Sequence, residues 1–385
     1  MATALDGVKI LDMSRLLPGG YCSMLLADLG CEVIKIEEPG KGDYYRDMIP
    51  GAFEGVSRNK KSVTLNLKKK QGREIFLQLS KKADVILESF RPGVVDRLGV
   101  GYNDVKSVNP EIIYCSISGY GQTGSRRNVS GHDANFQGVS GVLSISGDLE
   151  GPPAIPSGLS IADLNSSMFA AVSILAALLE KEKLGVGQYI DVSMTDVMVS
   201  WMGRYLVEYL NTGKPSKEEM FNRPGYGVFK TKDEKYITLA CLEDNFWNNL
   251  VDFFGPQSEL SKDSYKTLPE RMKERKKIQS VLELEVIKYT QEQWLQIFHE
   301  RDIPGGPVNM LDEVTHDLHL QERGLFSWLD NSDSGKSLQV RFPVKFTHLK
   351  TEIRSNPPKL GEHTEFILKE MGIIDLDLLR NEGVI

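Results

Sequence analysis

Of the six histidines in the chain, one stands among neighbours able to do acid/base chemistry. His132 lies in Gly131-His132-Asp133-Ala134-Asn135-Phe136, behind a loop rich in Gly, Ser and Thr at 116–124. Downstream, Ile161-Ala162-Asp163-Leu164-Asn165 brings a carboxylate into the first turn of a long helical pattern, where the helix dipole favours negative charge. An imidazole titrates near neutral pH, so His132 and Asp163 read as a catalytic pair. The same residues also admit a structural reading, in which His132 is a hydrogen-bonded loop residue and Asp163 stabilises its helix. The other five histidines, His299, His316, His319, His348 and His363, occupy helical or connector contexts with charged neighbours and read as surface or capping residues.

The elements that must position this pair follow from periodicity. Residues 8–13 alternate as a strand, a Pro/Gly turn follows at 17–20, a helix is predicted over 21–29, and 32–37 is the next strand. Strand, glycine-bearing turn, helix and strand make a βαβ unit, which implies a parallel sheet. The dinucleotide fingerprint GxGxxG is absent from the first turn, so a nicotinamide cofactor has little support. A helix over 72–82 leads to a strand at 83–88 that ends in Ser89-Phe90-Arg91-Pro92-Gly93, and a further strand at 111–117 carries the loop before His132. A helix over 159–182, Ala- and Leu-rich inside, is predicted to be buried on most sides, and a strand at 187–193 and a helix to about 211 follow. From 225 to 330 a hairpin turning at Asp233-Glu234, short charged helices and a Pro/Gly connector at 303–308 suggest a second unit. The predicted division is 1–215 with 331–385 as a large α/β domain and 216–330 as a small one, with a closing helix near 360 returning to the first.

Ligands of open α/β sheets gather beyond the carboxyl ends of the strands, which favours Arg91 and Arg97 as phosphate contacts. The segment 58–70 carries six basic residues, Arg58, Lys60, Lys61, Lys68, Lys69 and Lys70, around a short strand. They form either a solvated strand edge or a polyanion site. The chain as a whole, with 46 basic and 53 acidic residues among 385, has a net charge of −7 and no overall field for nucleic acid. Hydrophobic residues at 41% and charged residues at 26% describe a soluble globular protein. Cys22, Cys31, Cys115 and Cys241 have neither CxxC spacing nor histidines in a ligand pattern, so neither a zinc site nor a disulfide framework is expected. No basic, apolar leader opens the chain, and the apolar stretch 168–179 is too short to span a bilayer, so a cytoplasmic location is expected.

Several stretches together resemble the superfamily of family III CoA-transferases and α-methylacyl-CoA racemases, of CaiB/BaiF type. They are Leu5-Asp6-Gly7-Val8-Lys9-Ile10-Leu11-Asp12, Leu26-Ala27-Asp28-Leu29-Gly30-Cys31-Glu32-Val33-Ile34-Lys35-Ile36-Glu37, Arg58-Asn59-Lys60-Lys61 and Arg91-Pro92-Gly93. Gly119-Tyr120-Gly121-Gln122-Thr123-Gly124, Gly187-Gln188-Tyr189-Ile190-Asp191 and Leu360-Gly361-Glu362-His363 complete a set that spans nearly the whole chain in order. The resemblance implies a large CoA-binding α/β domain from both termini, a small α/β domain from the middle, and two protomers interlocked like rings. It implies a coenzyme A thioester as ligand, with no metal and no other cofactor, and either a homodimer or a complex with a related subunit. Arg58, Lys60, Arg91 and Arg97 then hold CoA phosphates, while Ser89, the backbone from Leu65 to Lys68, and the loop from Gly131 through Asn135 to Phe136 lie along the CoA arm. Members of the family often carry Arg where this chain has Glu38.

Transferases of the superfamily use the residue matched by Asp163 as a nucleophile that becomes a mixed anhydride and then an aspartyl-CoA thioester. Racemases add the histidine matched by His132, and a glutamate matched by Glu243 resembles its partner. Inverting a carbon next to a thioester needs a proton removed from one face and returned to the other. His132 tuned by Glu243 and Asp163 tuned by Asp133 fill those places, and backbone N–H groups at the start of the Asp163 helix are the natural donors to the enolate. The leading expectation is therefore epimerisation of a 2-methylacyl-CoA. Transfer of CoA between carboxylic acids is the alternative.

Overall fold

The computed structural model describes residues 3–156, 158–331 and 335–385, which fall into two compact units: Met1–Ser146 with Pro153–Leu206 and Gln321–Ile385, and Gly147–Pro152 with Val207–Leu320. The first is an α/β unit, as expected. Its elements run β1 (Lys9–Asp12), α1 (Leu16–Asp28), β2 (Glu32–Glu37), β3 (Lys60–Thr64), α2 (Lys70–Ser80), β4 (Val85–Glu88), β5 (Ile113–Ser118), α3 (Asp133–Val139), α4 (Ile161–Leu184) and β6 (Tyr189–Ser193). The six strands form one parallel sheet in the order β3-β2-β1-β4-β5-β6.

The strands are apolar on both faces, as a sheet covered on both sides requires. Side chains alternate across it. Ile10, Val33, Val85 and Cys115 join the core under α1 and α4, whereas Leu11, Ile34, Ile86 and Tyr114 join the core under α2 and the C-terminal helix Thr364–Glu370. Burying each such side chain contributes roughly 1.5–3 kcal/mol. The order reverses between β1, whose connection leads outward to β2, and β4, whose connection leads the other way to β5. Such a reversal opens a crevice at the carboxyl ends of the two central strands.

Two predicted elements differ. Helix α1 starts at Leu16 and takes in the Pro/Gly segment expected to be a turn. Pro18 is tolerated there because first-turn N–H groups have no intrahelical acceptor. Gly19 has no substitute, since a Cβ on it would stand 2.1 Å from the Ser14 side chain. Helix α4 has the predicted length but begins and ends two residues later, and only one side of it is buried. Ala170, Ile174 and Ala177 enter the core, but Phe169, Val172 and Leu179 are 42%, 63% and 58% exposed. By length and composition α4 could cross a membrane, yet its buried side belongs to the core over β5 and β6.

The second unit is built on a three-stranded antiparallel sheet of β7 (Tyr226–Lys230), β8 (Tyr236–Ala240) and β9 (Gly305–Pro307). The predicted hairpin is present, and the predicted Pro/Gly connector supplies β9. Trp247, Leu250, Ile278, Leu282 and Trp294 form its core, with the Trp294 indole donating to the Val286 carbonyl at 2.9 Å.

Candidate active site

A cleft of about 640 Å³ opens at the carboxyl ends of β1 and β4. Arg15, Ser89, Phe90 and Arg91 line one side, the segment 127–136 after β5 lines the other, and Asp163 of α4 reaches it from its first turn.

Asp163 is half-buried, and among the described residues no donor meets its side-chain carboxylate. Burial, then the neighbouring Asp133 charge, lift its pKa to about 7. Asp133 itself opens α3 and caps α4. One of its carboxylate oxygens accepts from the backbone N–H of Ala162 at 2.7 Å and of Asp163 at 3.2 Å, and the other accepts from the Gln137 side chain. The flanking N–H groups are also engaged, Ile161 with the Leu159 carbonyl and Leu164 with that of Ser160, both at 3.0 Å. This corrects the expectation that the start of this helix offers donors to an enolate. The orphan N–H groups of a helix start are occupied here by a neighbouring carboxylate and by the chain itself.

His132 precedes α3, its backbone N–H donating to Asn135 Oδ1 at 2.9 Å, and its imidazole is exposed on the cleft wall. The loop is fixed from below by Phe136, which is buried and meets Tyr120 edge-on at a centroid distance of 5.2 Å. Gly131 is needed there, because a Cβ would come within 2.7 Å of the Phe136 ring. The structure thus brings His132, Gly131, Asn135 and Asp163 to one cleft with Asp133 directly behind. Glu243 belongs to the second unit, at the N-terminal boundary of α5 (Asp244–Phe254).

The predicted phosphate contacts separate into two groups. Arg91 lines the cleft and is exposed. Ser89 lines it too, and its hydroxyl holds the loop after β1 by accepting from the Arg15 N–H at 2.9 Å and donating to the Arg15 carbonyl at 3.2 Å. Leu65 and Lys68 line a narrower groove alongside. Arg58 and Lys60 do not serve as expected. Arg58 is 2% exposed and pairs with Asp28 at 2.6 Å, and Lys60 is buried with Nζ donating to the Gly20 carbonyl at 2.8 Å and facing Asp12 at 3.7 Å. Their charges are neutralised inside the protein and cannot reach a ligand. Arg97 sits on the short helix Val94–Leu98 and lines neither the cleft nor the groove.

Sequence reasoning missed Arg15 and Arg127. Arg15 lies between cleft and groove, its guanidinium donating to the Tyr44 hydroxyl at 2.6 Å and standing over the Tyr44 and Phe90 rings. The next residue, Leu16, adopts φ +63°, a strained conformation for a bulky side chain, held by its N–H donating to Asp43 at 3.0 Å. The rule that singled out Arg91, a cation just beyond a central strand, applies equally to Arg15 after β1. Arg127 is an exposed guanidinium on the opposite wall, with no ion-pair partner among the described residues.

The cleft therefore combines one half-buried, unpartnered carboxylate with three arginines at the switch point of a doubly wound sheet. It suits an anionic ligand whose reacting carbon approaches Asp163. The model of CoA-transferase family III matches residues 5–364. Human succinyl-CoA:glutarate CoA-transferase is 34% identical over 378 residues, covering 95% of this chain and 86% of its own length. The acetyl-CoA:oxalate CoA-transferase of Acetobacter aceti is 33% identical over 376 residues, covering 95% of each. Among solved structures, a CaiB/BaiF family protein from Brucella suis superposes with a TM-score of 0.85 at 29% identity, covering 96% of this chain and all of its own. The chain belongs to CoA-transferase family III.

Proposed function

We propose that the protein moves coenzyme A between carboxylic acids, with Asp163 as the nucleophile and dicarboxylates as substrates. The observation that carries this reading is Asp163 itself, a carboxylate open to the cleft whose surrounding helix-start donors are already engaged. The similar proteins of human and Acetobacter are named as transferases acting with glutarate and oxalate, which supports this order of the two readings.

In the first half-reaction, Asp163 attacks the thioester carbonyl and releases CoA thiolate, leaving a mixed anhydride. The thiolate then attacks the aspartyl carbonyl of that anhydride, releasing the donor acid and leaving aspartyl-CoA. The acceptor carboxylate attacks this thioester, and returning thiolate attacks the acceptor carbonyl, which regenerates Asp163. Arg91 and Arg15 hold the anionic CoA arm, and Arg127 faces the carboxylate of the donor or acceptor that does not react.

A second reading, epimerisation of a 2-methylacyl-CoA with His132 and Asp163 as the two proton carriers, has one observation in its favour, their presence on one cleft. One experiment separates the two. Succinyl-CoA with free glutarate should give glutaryl-CoA, whereas a 2-methylacyl-CoA in D₂O without acceptor should keep its α-proton. Deuterium uptake without CoA transfer would reverse the assignment.

Two interlocked protomers are part of the same proposal. The exposed apolar side of α4 is the kind of surface a partner subunit covers. Sedimentation of the purified chain at twice its monomer mass is expected, and a monomer, or a complex only with a related subunit, would contradict a homodimer.

A further inference from the structure

Glu88 ends β4 and is 2% exposed, a buried carboxyl that the proposed reaction does not use. Its Oε2 accepts from the backbone N–H of Phe90 at 2.7 Å, and Ser116, directly opposite on β5, bonds the same carboxyl. The Ser116 hydroxyl in turn accepts from the Tyr189 hydroxyl of β6 at 3.0 Å. Burial above all, with smaller contributions from Asp96 and Asp191, raises the carboxyl's pKa to about 7. Neutral or ionised, the group keeps a lone pair for the Phe90 N–H, so this contact needs an acceptor oxygen rather than a charge.

One wall of the cleft hangs on that bond. Phe90 follows the last residue of β4 that pairs with β5, so its N–H has no partner in the ladder and Glu88 supplies the acceptor. Phe90 and Arg91 both line the cleft, and the Phe90 ring lies 5.3 Å from the Arg15 guanidinium. Between Glu88 and Phe90, the Ser89 hydroxyl holds the Arg15 backbone by the two bonds already described. Three ligand-facing groups therefore depend on the course of residues 89–91. Asp163 and Arg127 are carried by other segments, α4 and the loop after β5.

We propose that Glu88 is a positioning residue for the thioester carrier: through the Phe90 N–H it turns Phe90 and Arg91 into the cleft and keeps the Phe90 ring against Arg15, a role that rests on the reading of the cleft as a CoA-thioester site. It acts without touching the ligand.

The test compares wild type, Glu88→Ala, Glu88→Gln and Ser116→Ala in the transfer of CoA from succinyl-CoA to glutarate, in Kd for CoA by calorimetry, and in amide hydrogen exchange of the peptide spanning 89–93 without ligand. Glu88→Ala should raise the KM for succinyl-CoA and the Kd for CoA about tenfold, some 1.4 kcal/mol, with kcat and the KM for glutarate within about threefold of wild type. Glu88→Gln, which keeps the acceptor oxygen, should restore the KM to within about threefold. Ser116→Ala removes one bond to the carboxyl and opens little space, so it should raise the same KM about threefold and serves if Glu88→Ala does not fold. Exchange over 89–93 should be about tenfold faster in Glu88→Ala and near wild type in Glu88→Gln. An unchanged KM for succinyl-CoA in the variants that fold, a fall in kcat without a rise in KM, or unchanged exchange would overturn the proposal. Exchange that responds as expected in a protein that neither binds CoA nor transfers it would leave Glu88 as the anchor of this wall and count against the CoA-thioester reading instead.

Discussion

Two groups of basic side chains compete for the role of anion binder in the α/β unit, and they differ in what already surrounds them. Arg58 and Lys60, on and just before β3, are dense in the sequence but buried, each facing an aspartate, Asp28 or Asp12. Arg91 and Arg127 are scattered along the chain, lie beyond the ends of β4 and β5, and face the cleft without a carboxylate partner among the described residues. A cation whose charge is neutralised inside the fold stabilises the fold, and one left open at the switch point is available to a ligand.

The sharpest way to break this comparison is Arg58→Ala. It strands the buried Asp28 carboxylate and should cost on the order of 3–5 kcal/mol of stability, read as a large fall in denaturation midpoint. If the loss appeared only in the KM for CoA thioester, the division between the two groups would be wrong. Arg91→Ala should do the reverse, raising KM about tenfold, some 1.4 kcal/mol, with an unchanged melting temperature.

A pH titration sharpens the contrast at the carboxylates. With Asp163 as nucleophile, kcat/KM should rise as pH increases through about 7, where this carboxyl loses its proton. Asp133→Asn removes the lesser of the two causes of that shift, so the midpoint should move to lower pH. The folded state holds the Asp163 proton to higher pH than the unfolded chain does. Stability should therefore fall as pH rises from about 4 through about 7, and Asp163→Asn should flatten that fall. The smallest effect is expected for His132→Ala, less than about threefold on transfer, since the proposed acyl exchange assigns its covalent steps to Asp163 alone.

Much of this fold was legible in the residues. The strand, helix and strand read over 8–37 announced a parallel sheet, and β2 matches its predicted bounds. The helix start at Leu16 was hidden because Pro18 and glycines read as a turn, although a first turn accepts both. The exposed side of α4 was illegible because an apolar composition looks alike whether a core or a partner covers it. Arg58 and Lys60 misled because the sequence shows charge but not its partners, Asp28 and Asp12, which arrive from other elements. Asp133 as the cap of the Asp163 helix could not be read either, since the two residues meet only when α3 packs beside α4. That contact removes the enolate donors on which the epimerase expectation leaned.

The most direct test of the central claim is mass analysis of the peptide containing Asp163 after brief incubation with succinyl-CoA and no acceptor. CoA joined to Asp163 through a hydroxylamine-labile thioester, absent from Asp163→Asn, is the predicted result. CoA transfer at an undiminished rate by Asp163→Asn, with no adduct on the wild-type peptide, would contradict the account.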